Sequence, residues 1–432
     1  MARVRATLSS AETIRRYRLQ PRAWTRRRKL CFLTVVTTIL TGHKRLLQHA
    51  LNRVFQALGR VADVPTASAY SQARQKLHPA LFQHLNDVVI ADFYQLYGAD
   101  GEVKRWQGRR LLGIDGSILN VPDTAETRQC YSVQANQYPE GERVQALGSV
   151  CYDLLNQVAL SAGLGKKQAE KQFIFTRHLS VTDIGDVLIL DRAYADYSVM
   201  AALHAHRRDF VIRLPRGSFR AVAPFWTSAA REQIVTLTLP RGQRRFVAAQ
   251  DLAPSLQVRL IKVDLPSGEQ EVLVTSLLDG RAYPRAEMQR LYGLRWGVET
   301  YYDRLKNIFE IERFSGRSVL SIEQDFYGVV FLATFESVLS KEAEAELAHE
   351  SATKPWKYEA RVNRTMSYLA LVDHTVALLL DPHVTVEETI ATLHQLFKTN
   401  PTWSRPGRQV PRKVRSQARQ LWFLRYAKRL IA

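Results

Sequence analysis

The sequence is short of cysteine, of acidic residues and of long apolar runs, and each shortage narrows what the chain can be. Its three cysteines, Cys31, Cys130 and Cys151, are odd in number and far apart in 432 residues. That excludes a disulfide-built scaffold and fits buried thiols in a reducing compartment. The longest apolar run near the N-terminus, CFLTVVTTIL at 31–40, falls well short of the roughly 20 residues that span a bilayer. It follows RRRKL as a signal peptide's apolar stretch would, but no convincing small-residue cleavage site comes after it. The run is expected to be a buried helix of a cytoplasmic protein without a membrane partner. No internal repeat or low-complexity tract is present.

Acid is the third shortage: 41 Asp and Glu stand against 61 Lys and Arg, a formal net charge of +20. A surface this cationic repels itself unless a polyanion neutralises it, which makes nucleic acid the leading partner. Composition is otherwise that of a folded protein, 46% hydrophobic and 24% charged, with length enough for two or three domains.

Residues 1–105 carry helical periodicity and basic clusters such as RRYRLQPRAWTRRRKL, and suggest a helical, DNA-facing domain. The segment TASAYSQARQKLHPALFQHLNDVVIADFYQLY reads as amphipathic helix. The period then shortens. RLLGIDGSIL (110–119), VQALGSVCYD (144–153) and QVALSAGLG (157–165) look like antiparallel strands, the last two joined by a tight LLN turn. A helical segment near 167–179, a buried strand in DVLILDRAY (186–194), a short helix near 197–206 and the strand DFVIRLP (209–215) complete a mixed α/β order. From 216 to 283 the pattern returns to strands, in IVTLTLP, RRFVAAQ and LQVRLIKVDLPSGEQEVLVTSLLD, with PSG as a hairpin turn. YGLRWGVETYYDRLK (292–306) reads as one helix, and the chain from about 345 as helical with a basic end.

Two carboxylates interrupt strongly apolar strands, Asp115 and Asp191. A charge inside a buried strand is costly unless a cation accompanies it. On a continuous helix Tyr292, Arg295, Glu299 and Lys306 share an arc of about 60°, so one stripe carries an acid beside two cations and a phenol. Asp115, Asp191 and Glu299 together are hard oxygen ligands of the kind Mg²⁺ takes. Two ions about 3.5–4 Å apart activate a water or hydroxyl and stabilise the leaving oxygen of a phosphoryl displacement.

Taken together, IDGS, LDRAY and Y-x2-R-x3-E-x6-K in that order resemble the DDE transposases of the bacterial insertion sequence 4 family. The SQARQKL segment, VLVTSLLD before the LYGLRWGVE stretch, the β-rich insertion and the basic end are similar to that family as well. The resemblance implies a multidomain α+β chain. Its parts are a helical DNA-binding domain (1–105), a ribonuclease-H-like core (106–215 and 284–345), a β-rich insertion subdomain (216–283) and a helical basic C-terminal region (346–432). It further implies that Asp115, Asp191 and Glu299 are catalytic and hold two Mg²⁺ ions, with Mn²⁺ able to substitute, while Tyr292, Arg295 and Lys306 bind DNA phosphates. Trp226 and Trp296 are candidates for stacking on an extruded base. The implied reaction is cut-and-paste transposition through a hairpin, by a homodimer that pairs double-stranded terminal inverted repeats and joins them to target DNA, in a bacterial cytoplasm at the nucleoid.

Plainer readings stand beside these. Asp115 is a common turn former in DGS, Asp191 could pair with Arg192, and Glu299 and Lys306 could be solvated helix charges. Asp186, Asp303, Glu310 and Glu312 are nearby acids that only motif spacing sets aside. The HAH at 204–206 has no finger-like partner, and GLGKKQ at 163–168 lacks the first Gly and the Ser or Thr of a phosphate loop. Rival functions are a resolvase-like endonuclease and a non-catalytic DNA-binding derivative of a transposase.

Overall fold

The computed structural model describes residues 1–26, 28–41, 46–134, 142–264, 269–381 and 384–405. The chain divides into two units: Met1–Gln95 with Leu119–Gln145 and Asp303–Ala432, and Leu96–Ile118 with Ala146–Tyr302.

In the second unit the apolar run Val187–Leu190 is buried at every residue, covered on both faces, which is why it reads as continuous rather than alternating. The strands of the main sheet are β1 (Leu111–Asn120), β2 (Ser132–Gln134), β3 (Arg143–Asp153), β4 (Val158–Gly165), β5 (Val187–Leu190), β6 (Asp209–Leu214), β7 (Glu232–Thr238), β8 (Ser255–Asp264) and β9 (Gln270–Thr275), of which β2 belongs to the first unit. They make one mixed sheet in the order β2-β3-β1-β5-β6-β9-β8-β7, with β4 also on β3. β3 and β4 are antiparallel, as their sequence suggests. The turn between them is built by the Asp153 carboxylate, which accepts from the amides of Leu155 (3.0 Å) and Asn156 (2.9 Å). β1, β5 and β6 run parallel. The segment from Lys167 to Val181 winds through short helical turns, and buried His178 ties it to the sheet, its ring between the hydroxyls of Ser149 (2.9 Å) and Ser161 (2.7 Å). Burial pushes that imidazole down to about 3, so it bridges as a neutral group.

The strands β7 to β9 continue the same sheet through β9 on β6. RRFVAAQ, expected as a strand, is the helix Arg244–Ala249. A short apolar run of this kind does not separate the two periods. The PSG turn lies outside the described residues. One face of the sheet, through Val187, Ile189, Val211 and Leu273, packs with Met288, Leu291 and Tyr292 of the helix Arg285–Gly293.

The first unit is helical. The apolar run at 31–40 forms the buried helix Phe32–Leu40 as expected. The amphipathic segment from 66 is two helices, Ala67–Arg74 and Ala80–Ala99, separated around Pro79, whose missing amide and fixed φ suit a new first turn. The helix Val319–Leu339 is apolar on most sides and correspondingly buried. Buried Arg74 reaches it with bonds to Gln324 (2.6 Å), Asp325 (2.7 Å) and the carbonyl of Ser321 (2.9 Å). Fully buried Glu336, on the same helix, accepts from Arg304 (2.7 Å), Arg364 (3.1 Å) and Ser367. The chain beyond 345 is helical, with a small strand pair, Glu359–Arg361 and Thr402–Ser404. Most of its basic end, residues 406–432, lies outside the described residues. Of the cysteines only Cys151 is buried; Cys31 and Cys130 are exposed, contrary to the expectation for the thiols.

Candidate active site

Strand register builds the site. Ile114 on β1 faces Leu190 on β5, and Leu190 faces Ile212 on β6. The next residue on each strand is Asp115, Asp191 and Arg213. Three parallel strands therefore bring two carboxylates and a guanidinium side by side just past a dry apolar layer, at the carboxyl end of β5, where open α/β sheets place their ligands. Asp191 is half-buried and forms an ion pair with Arg213 at 3.0 Å, not with Arg192. Arg213 also holds Glu271 of β9.

Asp115 is half-buried, with one carboxylate oxygen accepting from the Gly116 amide at 2.8 Å. Its backbone is fixed by buried Tyr302, whose hydroxyl donates between the carbonyls of Asp115 (2.9 Å) and Gly148 (2.8 Å). Burial pushes the Asp115 carboxyl up to about 6; the Gly116 amide and Arg295 oppose the shift, and Asp191 and Glu170 add to it. A proton or a cation would relieve that penalty equally.

The stretch 292–306 is not one helix. Tyr292 lies in the last turn of the helix Arg285–Gly293, Leu294 and Arg295 form a tighter turn, and a second helix runs Trp296–Asn307. The joint is bridged by bonds of i→i−3 type, Arg295 to Tyr292 (3.1 Å), Gly297 to Leu294 (2.8 Å) and Val298 to Arg295 (3.1 Å). Each such residue turns the chain by about 120° instead of 100°, so the single arc computed for a continuous helix does not describe these side chains. Their proximity survives. Arg295 forms an ion pair with Glu299 at 2.8 Å and lies over the rings of Trp296 (4.9 Å) and Tyr292 (5.8 Å). Arg295 is 6% exposed and its Nε has no hydrogen-bond partner, nor has the buried Tyr292 hydroxyl or the Nε of Arg213. Burial pushes that phenol up to about 12, with Arg295 and Arg213 opposing. Buried donors left without acceptors are costly in a resting protein and suit a site that receives an anion.

Lys306 stands half-buried in the last turn of the second helix. Trp296 is 56% exposed. Trp226 is half-buried beneath Arg216 (5.3 Å), its ring nitrogen without a partner, and among the described residues no contact joins it to the carboxylates. The competing acids have other partners: Asp186 is buried against Arg110, Glu312 accepts from Asn120 (2.8 Å), Asp303 holds Asn307 and Glu310 faces Arg313 (3.4 Å). His204 and His206 are exposed.

Three hard oxygen donors at strand and helix ends fit a divalent cation. As the side chains lie, no group of three or more His, Cys, Asp or Glu among the described residues stands close enough to hold one. Glu299 is turned onto Arg295 and Asp191 onto Arg213, so two arginines occupy carboxylates that a cation would take. Sequence reasoning missed Arg213 and Glu170. Only the pairing of β5 with β6 could have revealed the first, and only the fold of the segment after β4 the second.

The relative Transposase InsG for insertion sequence element IS4, from Escherichia coli strain K12, is 24% identical over 298 residues, covering 66% of this chain and 64% of the relative. The chain thus matches just under two thirds of that relative's length. A cryo-EM structure of a piggyBac transposase synaptic complex with hairpin DNA aligns with a TM-score of 0.44 at 10% identity, over 96% of this chain and 88% of that one; a score at that level carries no argument. The family described as Transposase DDE domain matches residues 106–335, more than half of the chain and the span that holds Asp115, Asp191 and Glu299. The chain belongs to the Transposase DDE domain family.

Proposed function

We propose that the chain is the DNA transposase of an insertion sequence, cutting the element's ends and joining them to a target by metal-dependent phosphoryl transfer. The observation that carries this reading is the shared register of β1 and β5, which sets Asp115 beside Asp191, with Glu299 one ion pair away from buried, under-satisfied Arg295. In this reading the sheet is the ribonuclease-H-like core. The helical N-terminal residues 1–105 bind terminal inverted repeats, 216–283 form the inserted β subdomain, and the basic C-terminal region from 346 adds DNA or protein contacts.

Asp115, Asp191 and Glu299 would hold Mg²⁺, two ions in the full site, which when bound polarise the attacking and leaving oxygens of an in-line displacement. The protein's own part is positioning. Arg295 and Tyr292 offer unpaired buried donors to a DNA phosphate, and Arg295 passing to that phosphate gives up its ion pair with Glu299. Tyr302 fixes the backbone under Asp115, and Lys306 adds a further cation. Trp296, exposed beside Arg295, is the better placed of the two tryptophans to stack on an extruded base. The net charge of +20 supplies sequence-independent affinity for the duplex. The working form is a homodimer on paired ends, at a bacterial nucleoid. Among the described residues no helix is long and apolar enough to cross a membrane.

The test is a labelled duplex carrying the element's ends and flanking DNA, incubated with Mg²⁺. End-specific nicks, hairpins and joined products, lost in Asp115→Ala, Asp191→Ala and Glu299→Ala while binding persists, are the expected outcome. Cleavage without joining supports a resolvase-like endonuclease instead, and binding without cleavage by the unaltered protein supports a non-catalytic derivative.

A further inference from the structure

Asp191 is one of three charged side chains that continue a single face of the sheet. Side chains alternate along a strand, so Val187, Ile189 and Asp191 share one face of β5, Val211 and Arg213 one face of β6, and Leu273 and Glu271 one face of β9. The apolar members of these sets belong to one core cluster, which also holds Tyr292. β5, β6 and β9 are neighbours in that order. Past the apolar layer the face therefore reads Asp191, Arg213, Glu271, a cation between two acids.

The cation is not shared equally. Nη1 of Arg213 donates a hydrogen bond to Oε1 of Glu271. Nη2 stands 3.0 Å from Oδ1 of Asp191, yet that oxygen is buried and accepts no hydrogen bond, so this pair is held by charge without an aligned donor. Nε of Arg213 is likewise without an acceptor. A guanidinium is a planar fork, and a lone carboxylate beside it ordinarily takes two parallel bonds from it. Glu271 diverts that fork. Asp191 keeps a buried oxygen uncommitted, and the row of three carries a net negative charge where Arg213 alone with Asp191 would leave none.

A cross-strand pair that only fastens β6 to β9 gains nothing from an unsatisfied oxygen on β5, and a buried acceptor without a donor costs stability. We infer that Glu271 is a positioning residue for Asp191: it anchors the Arg213 guanidinium and so leaves Asp191 Oδ1 free to take a ligand. Glu271 has this role on the metal-centre reading proposed above, and it acts through Arg213 without touching the ion.

The test is Mn²⁺ binding to the full chain, read from the electron paramagnetic resonance signal of the free ion, with thermal melting of every variant in parallel. Glu271→Gln keeps the size of the side chain and gives up its charge. The guanidinium then turns its fork to Asp191, and Mn²⁺ binding is expected to weaken about tenfold or more, with Glu271→Asp recovering part of the loss. Arg213→Gln removes the competing cation and should tighten binding about fivefold. In the double variant Glu271→Gln should add less than about twofold to Arg213→Gln, since its effect runs through the guanidinium. Mn²⁺ affinity unaltered in Glu271→Gln but lost in Asp191→Asn overturns the inference and leaves the centre standing. An equal loss from Glu271→Gln with and without Arg213, or weaker binding in Arg213→Gln, also overturns it, because the glutamate then does not act by restraining the guanidinium. If Asp191→Asn binds Mn²⁺ as the unaltered chain does, or the unaltered chain binds none, the metal-centre reading falls and the inference with it.

Discussion

Glu336 in the helical unit and Asp115 in the sheet unit are both acids withdrawn from water, and the fold treats them in opposite ways. Burial alone would raise Glu336, but Arg364, Arg304 and Ser367 overcome it and hold the carboxyl below its ordinary value. Burial also raises Asp115, and there it prevails. The helical unit supplies its buried acid with two guanidinium groups at 2.7 and 3.1 Å. The sheet unit gives Asp115 one backbone amide and the more distant charge of Arg295, set against two further carboxylates, and no guanidinium in ion-pair contact. An acid with its cation built in serves the fold, whereas one that lacks it fits the proposed reading, in which a cation arrives from outside.

This contrast can be broken by exchanging which acid is removed. The largest effect is expected from Asp191→Asn, which should lower end cleavage by at least about 10³-fold while leaving the melting curve nearly in place. An unfolded Asp191→Asn would make that acid structural and erase the distinction. Glu336→Ala should do the reverse, costing about 3–5 kcal/mol in a denaturant titration because buried Arg304 loses the carboxylate it faces and Arg364 keeps only Glu344 of its two. A cost below about 1 kcal/mol would show the triad to be dispensable.

A smaller effect sharpens the comparison through pH. The folded Asp115 carboxyl at about 6 lies above its ordinary 3.8, so between those values the folded chain binds a proton that the unfolded chain does not. This contribution is fully present below about pH 4 and is lost as pH rises to 6 and beyond. Asp115→Asn should therefore raise stability at pH 7 by on the order of 2 kcal/mol and flatten this part of the stability profile. A melting temperature that falls in Asp115→Asn at pH 7 would contradict the assignment. The smallest effect concerns the donors. Arg295→Gln should reduce the salt dependence of duplex binding by about one phosphate contact, seen as a shallower slope of log affinity against log salt. An unchanged slope would mean that the guanidinium serves Glu299 alone.

Much of the sheet side of this contrast was legible in the chain. LLGIDGSIL and VLILDRAY announce buried strands, and an aspartate set into each is conspicuous because buried strands do not spend charge freely. The roles of Glu299 and its neighbours came from the order and spacing of a motif, which a break in the helix leaves intact even though it upsets any calculation of faces. What stayed hidden depended on neighbours distant in sequence. Arg213 becomes Asp191's partner only through the β5–β6 register, and Glu170 comes beside Gly116 only after β4 and the following turns fold back. RRFVAAQ misled because a six-residue element is too short to display its period. Cys31 and Cys130 misled because a general preference for burial says little about one thiol.

The equal reach of β1, β5 and β6 makes strand length itself a heritable specification. From Val187 to Leu190 the chain advances four residues against Leu111 to Ile114 and Asp209 to Ile212. Deleting a single residue from that run would pull Asp191 back by about 3.3 Å and turn its side chain to the other face. Conservative exchanges among Val, Leu and Ile there leave the alignment of Asp115 with Asp191 intact, but a one-codon loss anywhere in the run dismantles it without touching either carboxylate.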